Sequence, residues 1–398
     1  MDIRNTKAWK LAECEYEEFY NYTTIPLFGK RTTPEDKIER LEQILKRCPK
    51  FYPALLDLAL QRMLSTSNDS ADDQIKEGFN LMLELSDPSH IEEEFDILLD
   101  NLEKLWRFDL CKYFLGIMIE RYPHKAFLYD YQAHATAMIG EIDEALVYVE
   151  KALQLAPKNH HFRSNQGWLY LIAGDTKKAG ESLEAALRLK PDAEVAKKNL
   201  EIQKYLTKHG GNYLDYLLRP LDEERLEHLR NEEQWEDFDE IVTEYNVDRF
   251  EAMPQTIMQE SREKIPRLYD LMATLREFFG FVHRIDQDVH LNEDIDFIQE
   301  YFKPIMHKFI FKFGDVDREM IEEIYSALLE YYEFLSNRGL ISTKAFNQFK
   351  KKILGMKKEL IGKMQKYNAI RHRSDIDEDE KIVIREALFE GDDEWPFL

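Results

Sequence analysis

EALVYVEKALQLAP (residues 144–157) and ESLEAALRLKP (181–191) are two apolar-striped segments rich in Ala, Leu and Glu, each closed by a proline. Their prolines, Pro157 and Pro191, stand 34 residues apart. Another 34 residues back, Pro123 closes CKYFLGIMIERYP (111–123). Pro88 closes IKEGFNLMLELSDP (75–88), and Pro49 closes IERLEQILKRCP (38–49). The longer interval between Pro49 and Pro88 contains the polar stretch STSNDSADD (65–73), which reads as a lengthened loop between helices. A fixed period of this size, with a helix stopped at each proline, predicts stacked helical hairpins.

Composition points the same way. Only 15 glycines and 13 prolines occur in 398 residues, while strong helix formers dominate long stretches, so the fold class is all-α. Hydrophobic residues make up 44% and charged residues 33%, as in a folded, water-soluble chain. The net charge of −23 disfavours general attraction to phosphates or anionic lipid. Cys14, Cys48 and Cys111 are too few and too far apart for a disulfide framework or a zinc pattern, which suits a reducing cytoplasm. Neither a secretion signal nor a run of about 18 apolar residues is present. The expected localisation is cytoplasmic, with no membrane association.

At 160–193 the chain resembles the tetratricopeptide repeat family. Gly167 and Tyr170 take the small and aromatic positions of the first helix, Gly174 the turn glycine, Ala179 the small position opening the second helix, and Ala186–Leu187 the late pair. Residues 126–159 match with Tyr129, Ala133, Gly140, Ala145, Ala152, Leu153 and Pro157. At 92–125 the pattern degenerates, with Trp106 at the turn-glycine position and Cys111 at the small one. Over 16–91 only helix lengths, apolar stripes and prolines remain. The resemblance implies a right-handed α-solenoid of about five hairpins over 1–209, ending in a capping helix, because no hairpin can bury its apolar face alone.

The 34-residue phase is lost after Asn212. Helices are expected at 221–232, 235–245, 262–283, 293–312, 316–337 and 342–370, with Pro254, Pro266, Gly280, Gly314–Asp315 and Gly339 at turns, starts or kinks. A helical C-terminal domain over 212–373 and an acidic tail over 374–398 follow. Residues 342–373 carry ten Lys and Arg against Glu359 alone, while 374–398 carry ten acids against Lys381 and Arg385. Such opposed blocks can pair. The terminal EWPFL is a candidate docking segment.

The resemblance also implies which side chains line the concave face. These are Glu93, Asp96, Asp100, Glu103 and Lys104, then Phe127, Asp130, His134, Ala137 and Met138, then His161, Ser164, Trp168, Leu171 and Ile172. Of these, Asp96, Asp100, Phe127, Asp130, His134, His161 and Trp168 are the expected partner-binding residues. They suit a protein or peptide with apolar anchors and basic flanks. Some members of the family clamp acidic chaperone tails with Lys and Asn on one unit and Asn on the next. Asn165 fits the last of these positions, but Asp130 and His134 stand where Lys and Asn belong. A carboxylate there repels an acidic tail, which excludes the clamp.

No cofactor, metal or catalytic constellation is expected. DQDVHLNEDIDF (286–297) lacks the central glycine and the closing glutamate of a calcium loop and reads as an acidic loop before a helix. His160, His161, His283, His290 and His307 lack zinc-ligand spacing. Neither a phosphate-cradling loop nor a nucleophile elbow occurs. The expectation is a non-enzymatic interaction module or scaffold. The alternatives are nucleic-acid association through Lys350, Lys351, Lys352, Lys357 and Lys358, or an enzyme hidden in the C-terminal helices.

Overall fold

The computed structural model describes residues 3–24, 34–65, 70–286, 289–312, 316–371 and 373–389. All regular elements among them are helical. The chain forms two compact units, Met1–Thr207 with Ile257–Tyr269, and Lys208–Thr256 with Asp270–Leu398.

In the first unit, α1 (Lys7–Thr24) and α2 (Pro34–Arg47) form one hairpin, and α3 (Tyr52–Ser65) with α4 (Ser70–Leu85) the next. They are followed by α5 (Ile91–Lys104) with α6 (Phe108–Arg121), α7 (Ala126–Met138) with α8 (Ile142–Leu155), and α9 (His160–Ile172) with α10 (Thr176–Leu189). Helices α6, α8 and α10 stop two residues before Pro123, Pro157 and Pro191, since the residue preceding a proline is pushed out of the helical region. The middle of the STSNDSADD stretch lies outside the described residues.

The repeat is written into the backbone hydrogen bonds. The amides of Trp106, Gly140 and Gly174 donate to the carbonyls of Glu103, Ala137 and Leu171. Those of Arg107, Glu141 and Asp175 donate to Leu102, Thr136 and Tyr170. This paired closure of a helix end needs one residue in the left-handed region. Gly140 and Gly174 supply it at φ +84° and +76°, and Trp106 adopts it at +59°. A side chain there costs roughly 1–2 kcal/mol, so the hairpin that departs from the motif keeps its backbone under strain.

Small residues let the helices touch. A Cβ on Gly167 would lie 2.5 Å from Leu183 Cγ. Ala145, Ala152, Ala179 and Ala186 are fully buried, and Ala133, Ala137, Ala145, Val149 and Leu169 form one cluster. The last hairpin is covered by α11 (Glu194–His209), which buries Ala196, Asn199, Ile202 and Leu206; Gln203 donates to the Thr176 carbonyl at 2.9 Å. The distant segment 257–269 also belongs to this unit, and nothing in the period signals it. There Arg262 donates to the Ile139 carbonyl at 2.9 Å, and Gln259 packs on Gly140.

The second unit holds α12 (Tyr213–Leu217), α13 (Glu223–Asn231), most of α14 (Trp235–Glu260) and of α15 (Ile265–Asp286), α16 (Ile295–Lys312), α17 (Arg318–Asn337), α18 (Thr343–Arg371) and α19 (Glu378–Leu388). One expectation is corrected here, and two further helices come into view. The helix expected at 235–245 runs on through Pro254 to Glu260. Residues 252–258 are all buried, and that burial outweighs a local proline cost of about 3 kcal/mol. Helix α12 was not expected; it is only five residues long and is held by a capping box between Asn212 and Asp215. The acidic block at 374–398 begins as a helix, α19, capped by Asp377. Asp375 and Glu378 pair locally with Arg373 and Lys381, and Phe389 anchors the helix end against His307 and Tyr367 at 5.1 and 5.6 Å. Gly314–Asp315 and EWPFL lie outside the described residues.

Arg249 sits at the centre of this unit, fully buried. It donates to Glu293 at 2.6 Å, to the Arg219 carbonyl at 2.6 Å and to the Leu217 carbonyl. Asn246 bridges to the 289–294 loop through the His290 carbonyl and the Asn292 amide. That loop precedes α16, whose first turn is capped by Asp294.

Candidate partner-binding face

Helices α5, α7 and α9 open successive hairpins and lie side by side. Asn165 on α9 donates to Asp130 Oδ2 on α7 at 2.8 Å, and Tyr129 on α7 shares a cluster with Phe162 on α9. On the other side, Lys125 before α7 pairs with Glu92 on α5, and His134 lies 3.8 Å from Glu103. Asn159 starts α9 by accepting from the His161 amide at 2.9 Å, which fixes the rotation of the helix that carries Ser164, Asn165 and Trp168.

Six of the seven expected residues fall into one neighbourhood. His134 sits between two rings, 5.5 Å from Phe108 and 5.5 Å from Trp168. Asp130 acts electrostatically with His134 and with the exposed His161. Phe127 meets Tyr131 edge to face at 6.0 Å, and Lys125 holds its ammonium 5.9 Å from the Phe127 ring. Exposed Asp96 reaches this group through its field on the Tyr131 hydroxyl. Asp100, the seventh, is also exposed but is engaged by Lys104 one turn along its own helix.

The face closes towards its C-terminal end. Glu93, Asp96 and Asp100 are exposed, whereas Met138, Ser164 and Leu171, expected to line the groove, are buried, as is Ala137. Ala137 packs in the α7–α8–α9 cluster, with Trp168 and Ile172 half-buried against it. So part of the expected apolar lining is core. Phe108, Tyr131 and Asn165 take part without being among the expected lining residues. Phe108 opens α6 and so escapes a reading confined to first helices, while Asn165 was weighed only as a clamp residue.

Asp130 is the electrostatic centre. It is only 7% exposed, and burial pushes its carboxyl up to about 6, opposed by the Asn165 hydrogen bond and by the two histidines. Its Oδ1 accepts no hydrogen bond, and the buried Ser164 hydroxyl on the neighbouring helix has no partner either. Burial also raises the Tyr131 phenol and the Asp96 carboxyl. Asn165, the residue that fits the chaperone-tail clamp, spends its amide on Asp130.

The family model of the tetratricopeptide repeat matches residues 161–193. This stretch is similar to a tetratricopeptide repeat. The same loop hydrogen bonds recur every 34 residues in the two preceding hairpins, so α5, α7 and α9 hold equivalent places in three hairpins of like turn geometry. Among solved structures, the chain is similar to the P58(IPK) TPR domain at 14% identity, over 90% of this chain and 99% of that one. The TM-score of that match is 0.23. Comparison with curated proteins gave no match. Among the described residues, no helix is long and apolar enough to cross a membrane, and no group of three or more His, Cys, Asp or Glu is placed to hold a metal ion.

Proposed function

We propose that the protein is a non-enzymatic interaction module whose α5–α7–α9 face takes a segment of a partner protein, with Asp96, Asp100, Phe127, Asp130, His134, His161 and Trp168 in contact with it. The observation that carries this reading is Asp130, a buried carboxylate with an unsatisfied oxygen, set among half-exposed aromatic rings on the first helices of these hairpins. A folded chain seldom keeps such an oxygen without a donor, because leaving it unmade costs about 1–3 kcal/mol. The half-buried Phe127 and Trp168 offer apolar contact, and exposed Asp96 and Asp100 suit basic flanks. The test is peptide display panned against the full chain, with selected peptides measured again on a Phe127→Ala/His161→Ala variant. Selected peptides should share apolar anchors with basic neighbours and lose at least tenfold affinity on the variant. Peptides that bind both proteins equally would refute the proposed face.

A second reading is supported by the exposed Lys350, Lys351, Lys352 and Lys358 on α18. Nucleic-acid binding through this helix would weaken steeply with salt and vanish when these lysines become glutamine.

A further inference from the structure

We infer that Asp130, with Asn165 beside it, is a seat for one primary ammonium group, a lysine side chain carried by the partner segment. This inference rests on the binding face proposed above and names the chemistry at its centre.

Asp130 lacks a donor at one oxygen. A carboxylate accepts at two oxygens, and Asp130 Oδ2 is taken by the Asn165 amide at 2.8 Å while Oδ1 has nothing. The groups that act on the Asp130 carboxyl are Asn165, His134 and His161, and no lysine or arginine among the described residues is one of them. Ser164 Oγ, one residue from Asn165 on the same helix, is buried at 5% exposure and also lacks a partner. A negative group that is nine-tenths buried and short of a donor calls for a ligand that carries a donor and a positive charge.

The chemistry selects among cations. A guanidinium pairs best through two parallel bonds to both carboxylate oxygens, and here one is already occupied. An ammonium is a compact point charge with three donors on a thin four-carbon stem, narrow enough to reach Oδ1, which is closed to solvent in the free chain, when the half-buried Asn165 and Trp168 side chains turn aside. Phe127, His134 and Trp168 provide aromatic surface for that stem, and exposed Asp96 and Asp100 give the approach a favourable field. Keeping a carboxyl in a place where burial opposes its charge is a stability cost of the kind found at functional sites.

The experiment uses the full chain and pools of fluorescein-labelled decapeptides, randomised except at the fifth position, which is fixed as lysine, arginine, norleucine or acetyl-lysine. Anisotropy should show the lysine pool binding at least tenfold tighter than the norleucine and acetyl-lysine pools, and more tightly than the arginine pool. Asp130→Asn should erase that preference, while Glu150→Gln, at an exposed position of α8 away from the face, keeps it. Equal binding of the lysine and norleucine pools to the wild type would overturn the inference without recourse to any variant. So would a lysine preference that survives in folded Asp130→Asn. Hydrogen exchange separates the two levels of the argument. Pools that protect α7 and α9 without preferring lysine sink only the ammonium seat, whereas pools that leave both helices unprotected sink the binding face as well.

Discussion

The repeats over 92–191 and the helices after residue 208 are both all-α, yet they are held together in different ways. In the repeats the specifying interactions are short-range and recur every 34 residues: a left-handed turn at 106, 140 and 174, a small residue where helices touch, and a proline after each second helix. In the second unit the specifying interactions are long-range and singular. Arg249 gathers Glu293 and the carbonyls of Leu217 and Arg219, and Asn246 ties α14 to the 289–294 loop. A recurring local rule tolerates an exception at one copy, as Trp106 illustrates. A single buried charged hub does not.

The largest expected effect follows from that hub. Arg249→Met leaves Glu293 buried without its partner, which should cost about 3–5 kcal/mol. Hydrogen exchange should then show α14, α16 and α17 losing protection while α7–α10 keep theirs. If α7–α10 lose protection equally, the two parts do not fold under separate rules. Next in size, Ala179→Trp or Ala145→Trp overpacks a fully buried contact and should destabilise the repeats by roughly 1–3 kcal/mol or more. Lys177→Ala, on the exposed face of the same α10 turn, should change stability by less than about 0.5 kcal/mol. Similar denaturation midpoints for all three would mean that the hairpin interface is misplaced.

A smaller effect of opposite sign is expected at Asp130. Its carboxyl is raised to about 6 in the fold and keeps its ordinary value near 3.8 in the unfolded chain. The ionised form is therefore penalised in the native state above pH 6, and the penalty is relieved as pH falls through 6 towards 4. Asp130→Asn should be more stable than wild type by about 1–3 kcal/mol at pH 7.5, with the gap closing near pH 4. Urea titrations at the two pH values check this. Destabilisation at pH 7.5 would show that the carboxylate serves the fold. Lysine-pool binding to wild type should also weaken between pH 7.5 and 5.5, where Asp130 gains its proton beside His134 and His161.

What was legible in the sequence follows from the same contrast. The period, the small positions and the proline stops can be counted along the chain, so the hairpins and the first helices of the proposed binding face could be placed from residue types. The long α14 could not, because its passage through Pro254 depends on burial by residues remote in sequence. The role of 257–269 was hidden for the same reason: Arg262 meets the Ile139 carbonyl across 123 positions. At the face itself, the family's spacing brought Asp130, His134, His161 and Trp168 together but overstated the exposed lining. Met138, Leu171 and Ser164 occupy groove positions by number and are buried in the fold. Spacing fixes the direction of a side chain along a helix, and the packing around it decides whether it meets water.

The central claim is that partners sit on the α5–α7–α9 face. A photo-crosslinking benzoylphenylalanine placed at exposed His161 on α9 tests it most directly, with the same group at exposed Val147 on the second helix α8 as the control. Illumination in native lysate should give a discrete adduct from position 161, competed by the lysine-fixed peptide pool, and none from position 147. An adduct from 147 alone, or adducts at both positions that the pool does not displace, would contradict the account.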